Sequence, residues 1–396
     1  LEEEVMNRSK YARYALSLGH LCSDVNQGTL AALLPYLIAA YHFDYATAAT
    51  LVMVSNIAGS LIQPLFGWLS DQKSQPWVML LGVCMAGGGM AATGLVSGYG
   101  GLCAAVIVSG MGIAMFHPQA ALLVNALSTE RDRGANLGVF SFGGSMGFTV
   151  GPAMAGASIA LFGLKGTLVF LLPPLVFAAA YAVFFAGGDF AAAGPKTSAA
   201  RSGRDSWREF AKLSSLVLAR SIVNSGINTF TVLYLTAVHG QSKAISSAFL
   251  SVYYAAGAFS SLLGGRLSDR LGHRRAVRLS FCLLLPSLML FTITDRAWLA
   301  LALLLPMGIG SSLCFSPLVA LGQRYLPRHV GLASGMTLGM AVSVGGIIAP
   351  AFGRVGDLYG LRATFAAVST FAVLPVLISF LLKEPDDART GEDTPR

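Results

Sequence analysis

Apolar residues run along this chain in long blocks rather than in the narrow stripes of a soluble helix bundle. Cutting the sequence at its charge clusters and at Gly and Pro breaks leaves twelve blocks. They lie at about 12–40, 46–69, 77–97, 100–127, 134–162, 167–187, 213–238, 244–264, 276–294, 297–323, 330–356 and 361–382. A helix of about 20 mainly apolar residues crosses the hydrocarbon core of a bilayer. The blocks reach or exceed that length, and the longer ones imply tilt or helices that continue past the membrane. The pattern predicts twelve transmembrane helices.

Composition supports this. The 396 residues are 54% hydrophobic and 12% charged, with mean hydropathy +0.64. That is half the charge of a soluble domain, which carries about 25%. The 45 glycines suit helices that pack closely in lipid, where burial of apolar surface gives little drive. The first block holds polar residues and no small-residue cleavage site follows it, so it is not read as a signal peptide. A net charge of +8 would suggest nucleic acid if the basic residues were contiguous. They are not. Arg8, Lys10 and Arg13 precede the first block, and basic residues recur at every second connection, most densely at Arg266, Arg270, Arg274, Arg275 and Arg278. The positive-inside rule then puts both termini in the cytoplasm. The five cysteines fall inside the blocks without a CxxC pair, so no disulfide framework or zinc site is expected.

The chain also repeats itself at an offset of 198. "VNQG" at 25–28 answers "VNSG" at 223–226, "GWLSD" at 67–71 answers "GRLSD" at 265–269, and Gly147 and Pro152 answer Gly345 and Pro350. With the offset slipped by one, "FHP" at 116–118 meets "FSP" at 315–317. The expected architecture is an all-α membrane protein of two pseudo-symmetric six-helix halves, 1–187 and 213–396. A cytoplasmic linker at 188–212 joins them, with a short surface helix around Trp207. Such repeats rock about a site near the midplane.

Against this background, "GHLCSD" at 19–24 is costly. An aspartate at the centre of a membrane helix costs about 2.5–3.5 kcal/mol on insertion scales. His20, Asp24 and Gln27 are spaced i, i+4, i+7 and share one helix face. The second half has Leu218 and Ile222 in place of His20 and Asp24. A residue needed for packing would tend to occur in both halves, so Asp24 is read as a proton or substrate-cation switch facing the central cavity. Its bland alternative is an Asp hydrogen-bonded to a neighbouring helix without transport chemistry. His20 beside it would titrate with it as a unit. His117 precedes Pro118, which bends its helix. It either relays protons and holds an anion, or fills the gap the proline leaves. Arg220, placed at the start of the seventh block, either binds an anion or snorkels to the interface. Gln27, Tyr36, Gln63, Gln119, Asn224, Asn228, Tyr234, Tyr253 and Tyr254 are cavity candidates by polarity within the blocks. Met111 and Met115 near His117 do not outweigh the ordinary use of Met in packed helices, and no metal is expected.

"GWLSDQKS" and "GRLSDRLGHRR" resemble the signature of the major facilitator superfamily, G-x-L-[SA]-D-x-x-G-[RK]-[RK]. The resemblance implies a conformational latch built on Gly67, Asp71, Gly265, Asp269, Arg270 and Arg274. The first copy lacks the second Gly and the basic pair, having Ser74 and Gln75 there. Gly138, Gly147, Gly151, Pro152 and Gly156 are similar to a helix-packing motif of proton-coupled exporters in that superfamily; plain small-residue packing is the alternative. "GHLCSD", "LIQP" at 61–64, "PW" at 76–77 and "GMGIAMFHP" at 110–118 resemble its fosmidomycin resistance group. Gln119 departs from the acidic residue expected after His117-Pro118.

The resemblance implies a proton-coupled secondary transporter of the bacterial inner membrane, working by alternating access. It would be an antiporter exporting a small compound or antibiotic, anions such as fosmidomycin included. An importer, taking up a small metabolite with protons, is the alternative. Its partners would be that small molecule, protons and the bilayer; no cofactor or nucleic acid is expected, and the chain would be a monomer. No HExxH or nucleotide loop occurs, which argues against an enzyme.

Overall fold

The computed structural model describes residues 2–72, 75–129, 132–185 and 205–383, with side chains described from Tyr11 onward except at Leu61, Asp71, Arg133 and 338–343. The first half holds α1 (Glu2–Tyr41), α2 (Tyr45–Leu61), α3 (Gln63–Gln72), α4 (Trp77–Ala92), α5 (Gly98–Ala126), α6 (Arg133–Phe162), a 3-10 segment (Gly163–Leu171) and α7 (Leu172–Phe184). The second holds α8 (Trp207–Ala237), α9 (Lys243–Leu271), α10 (His273–Ile293), α11 (Ala297–Ser312), α12 (Phe315–Tyr325), α13 (Val330–Tyr359) and α14 (Leu361–Leu381). The twelve predicted blocks are all present. Three are divided: α2 and α3 part at Ile62, just before Pro64, α11 and α12 part at Leu313 and Cys314, just before Pro317, and the sixth block passes from the 3-10 segment into α7 at Leu172. Proline lacks the N–H that would continue the ladder. Pro118, the counterpart of Pro317, sits inside an unbroken α5.

Connections are set by local chemistry. Asp44 caps α2 by accepting from Thr47 N at 2.7 Å, and Ser242 caps α9 by accepting from Ile245 N at 3.2 Å. Gly272 and Gly360, with φ of +87° and +83°, turn the chain where a side chain would be strained. Of the linker expected at 188–212, residues 188–204 lie outside the described residues. Trp207 opens α8 itself, so the described part contains no separate surface helix, and the seventh span begins before residue 213.

Equivalent glycines make equivalent contacts in the two halves. A Cβ at Gly147 would lie 2.6 Å from Leu21 O, and one at Gly345 would lie 2.1 Å from Ser221 O. The pairs α1–α6 and α8–α13 therefore touch backbone to backbone. The glycine string of span five is not one surface, however. Gly151 packs on Val25 O, Gly156 packs across the halves on Ser247, and Gly138 has nothing within 4 Å.

The halves close on each other at the end opposite the termini. Asp357 of α13 accepts from Tyr45 N at 2.7 Å and Ala46 N at 3.1 Å, its carboxylate seated on the positive start of α2. Ala153 N of α6 donates to Ser251 Oγ of α9 at 2.9 Å. At the termini end the cavity between α6 and α9 remains open. There Arg13 pairs with Asp132 at 2.8 Å, tying α1 to the start of α6. The Thr129 hydroxyl, followed by the Thr129 amide and Arg13, holds the Asp132 carboxyl below the usual carboxylate range.

Candidate functional site

α1, α5 and α6 bring His20, Asp24 and His117 together. His20 Nε2 lies 3.2 Å from Asp24 Oδ2, His117 Nε2 lies 3.2 Å from Asp24 Oδ1, and the two Nε2 atoms are 3.2 Å apart. His20 and Asp24 are 9% and 4% exposed. The His117 side chain, at 21%, is the most open of the three. Phe140 stacks on the His20 ring at 4.1 Å, and Phe116 lies beyond it. Gly144 of α6 presses on the trio: a Cβ there would lie 2.4 Å from His20 Nε2 and 2.8 Å from Asp24 Oδ2.

Counting hydrogens shows what this arrangement lacks. His20 Nδ1 is 2.7 Å from Phe140 O, and His117 Nδ1 is 2.8 Å from Ile113 O. Carbonyl oxygens only accept, so both Nδ1 atoms carry hydrogen, and each neutral ring has a bare Nε2. With Asp24 ionised, two nitrogen lone pairs and a carboxylate then meet with no hydrogen between them. One proton supplies the missing hydrogen bond and makes the trio neutral; a second makes it +1. These atoms, within 4.8 Å of one another, are also of types that bind metal ions. A divalent ion would leave the site at +1 among apolar walls, as two protons would, whereas a single proton leaves it neutral.

Asp24 does not face the central cavity as its sequence context suggests. The backbone contact of α1 with α6, through Gly143 and Gly147, shuts it off, with Gly144 against the trio's side chains between them. The cavity lies on the opposite side of α6. A space of about 420 Å³ is lined by Ser141, Phe142, Ser145 and Phe148 of α6, by Tyr254 and Ser261 of α9, and by Phe315 of α12. A second, of about 210 Å³, is lined by Gln27, Asn56, Asn224, Ser225 and Asn228. Arg220, Phe148, Tyr254 and Phe315 line both.

Arg220 is the central charge. It lies in the middle of α8, not at its start, and is 7% exposed, so it does not snorkel. Nε and Nη2 donate to Ser311 O at 3.2 and 2.9 Å. Among the described residues no carboxylate pairs with it, and its repeat counterpart is the buried Cys22. Each half thus carries its charged chemistry where the other is uncharged. Asn224 and Asn228 follow one and two turns along α8, and their Oδ1 atoms are buried without a partner, like Ser225 Oγ.

Other expected cavity residues lie elsewhere. Gln63 is exposed and lines neither space. Gln119 is buried, its Oε1 accepting from Gln75 N at 3.1 Å, because its place near the end of α5 sets it against the α3–α4 turn. Tyr36 sits under Lys243, with Nζ 5.1 Å from the ring centroid. Tyr253 is buried behind the cavity wall, and Tyr234 is buried with its hydroxyl donating to Thr292 O at 2.9 Å.

The sequence matches the profile of the Major Facilitator Superfamily in two overlapping stretches, residues 16–350 and 213–395. The chain belongs to the Major Facilitator Superfamily. It is a membrane transporter rather than an enzyme. The fosmidomycin resistance protein of Escherichia coli (strain K12) is 24% identical over 373 residues, covering 93% of this chain and 91% of that one. An uncharacterized MFS-type transporter of Bacillus subtilis (strain 168), YfnC, is 25% identical over 396 residues, covering 95% and 93%. A bacterial homologue of the human lysosomal transporter Spinster, crystallised inward-facing and occupied, superposes with a TM-score of 0.82 at 16% identity. That match covers 95% of this chain and 97% of that one.

The superfamily's signature loops sit at the open end. Asp269 and Arg270 at the end of α9 are exposed, and Asp269 makes no ion pair among the described residues. Arg274 is half-buried, a Cβ at Gly67 would lie 3.9 Å from Pro118 Cβ, and one at Gly265 would meet nothing within 4 Å. The Asp71 side chain lies outside the described residues. Sequence reading missed Gly144, Phe148, Asn56 and Asp357. The Gly143-Gly144 pair was visible as a small-residue step, but nothing local showed that α1 carries the trio opposite it.

Proposed function

We propose that this transporter couples proton movement to export of a small organic anion, as an antiporter working by alternating access. On this reading the termini are in the cytoplasm of a bacterial cell and the cavity opens inward. The observation that carries it is Arg220, a buried cation with no carboxylate partner among the described residues, at the junction of two spaces between the halves. A buried charge is stabilised only when something pairs with it, and the cavity leaves room for an anion to do so. Asn224 and Asn228 on the same helix, with Gln27 and Tyr254 opposite, supply further hydrogen bonds. Asp24, His20 and His117 hold the coupled protons, and α6 lies between the two sites, one face on the trio and the other on the cavity. Similarity to the fosmidomycin resistance protein favours export and makes fosmidomycin the first substrate to try.

The test is flux into proteoliposomes under imposed pH gradients. Antiport predicts that an acid interior drives accumulation of fosmidomycin or another small phosphonate or carboxylate. Accumulation driven only by an acid exterior would mean symport, the importer reading. Flux indifferent to both gradients would reject proton coupling.

A further inference from the structure

We infer that the transported anion carries an aryl or similarly flat apolar body, seated beside Phe148 and Phe315 with its acidic head on Arg220. This rests on Arg220 being the anion site. Three of the four residues common to both spaces are aromatic: Phe148 from α6, Tyr254 from α9 and Phe315 from α12. The fourth is Arg220. The Phe148 and Tyr254 rings meet across the halves with centroids 5.4 Å apart, and Phe142 and Phe259 do so at 6.1 Å.

Polarity differs between the two spaces. The smaller carries the Asn224, Ser225 and Asn228 oxygens that lack partners, and its α2 wall is pressed by Gly346, where a Cβ would lie 2.5 Å from Asn56 Nδ2. Asn224 lies one helical turn from Arg220, about 6 Å along the axis, within reach of the oxygens of a bound acid group. The larger, toward the open end, has Leu137, Leu262 and Phe142 among serine hydroxyls. Neither space is lined by a charged side chain other than Arg220, so the site neutralises one charged group. A volume of about 420 Å³ is also far more than a one- or two-carbon acid fills; ligand pockets of about 300–1,000 Å³ enclose drug-sized molecules. The substrate thus enters head first, its charge deep and its body between aromatics contributed by both halves. A ring held there touches α6 on one side and α9 and α12 on the other, so it joins the elements that must approach when the open end closes.

The test is calorimetric binding to the purified full chain in detergent, with benzylphosphonate, methylphosphonate and benzyl alcohol. The phosphonates share the head, and the alcohol keeps the ring without the charge. Benzylphosphonate should bind about 10- to 100-fold more tightly than methylphosphonate, the range expected for burying one phenyl ring. Phe148→Ala and Phe315→Ala should narrow that ratio, and Arg220→Gln should weaken both phosphonates together. Phe148→Leu and Phe315→Leu, which preserve apolar volume, replace any alanine variant that does not fold. Equal phosphonate affinities, both dependent on Arg220, would overturn the aryl inference and leave the anion site standing. Benzyl alcohol binding as tightly as benzylphosphonate would overturn the anion site itself. No binding of benzylphosphonate up to its solubility would also overturn the inference.

Discussion

Gly144→Ala is the sharpest perturbation of the proton site, because it adds one methyl group and changes no charge. The new Cβ would lie 2.4 Å from His20 Nε2, 2.6 Å from His20 Cε1 and 2.8 Å from Asp24 Oδ2. Ordinary van der Waals contact begins near 3.4 Å, so the imidazole and carboxylate must move by about 1 Å, or α6 must back away from α1. Overpacking of this kind costs about 1–3 kcal/mol. The trio's contacts, all at 3.2 Å, leave little room for such a shift without losing the hydrogen bonds among them. The variant should therefore fold, with a modestly lower unfolding temperature in detergent, and lose most of its pH-driven transport in proteoliposomes. Two neighbours supply controls. Gly138→Ala meets nothing within 4 Å and, although it lines the larger space, should keep the wild-type unfolding temperature and the wild-type pH dependence of transport. Gly143→Ala meets Ser17 O at 2.2 Å, away from the trio, and should lower stability by separating α1 from α6. If Gly144→Ala transported at the wild-type rate with the wild-type pH dependence, the trio would not be the coupling site.

Asp24→Asn removes the trio's only carboxylate while preserving its size, so a folded protein should result whose substrate affinity no longer varies with pH; retained proton-driven accumulation would contradict the assignment. His117→Gln keeps a hydrogen-bonding side chain but cannot carry the proton, and should impair transport; full activity with normal pH dependence would make His117 a filler beside Pro118. Asp357→Ala removes two hydrogen bonds between the halves, and bonds to charged groups contribute about 1.5–3 kcal/mol each. Cysteine probes at the end opposite the termini should then label about tenfold or more faster, and unchanged labelling would show that the contact does not hold that end shut. Asp269→Asn should leave this conformation's stability unaltered, since Asp269 is exposed and unpaired among the described residues, yet slow turnover, because its latch can form only when the termini end closes. A change in substrate affinity without a change in turnover would count against that role.

Much of the fold was written in one dimension. Block length against bilayer thickness determined twelve spans, because the bilayer imposes one length on every element. The 198-residue repeat determined two equivalent halves, and the glycines at 147 and 345 press on the backbone of the first helix of each half. The breaks at Pro64 and Pro317 follow from a missing N–H, but Pro118 shows the limit: an identical local signal leaves α5 continuous. The chemical residues were legible as exceptions. Asp24 and Arg220 stood out because charge is costly in an apolar block; the absence of Asp24 from the opposite half made it a candidate for chemistry, whereas for Arg220 the sequence left anion binding and snorkelling open.

Where those residues face was decided by packing. Spacing along α1 placed His20, Asp24 and Gln27 on one face, yet Gln27 reaches the cavity while Asp24 is sealed against α6. What separates them is close contact between helices 120 residues apart in sequence, through glycines whose partner no local pattern reveals. The same holds for His117, which meets the His20–Asp24 pair only because α5 packs beside α1. It holds too for Gln119 two positions on, which is engaged by the α3–α4 turn. Polarity within a span marks a residue that must find a partner; only the assembled helices determine whether that partner is a proton, a backbone amide or a substrate.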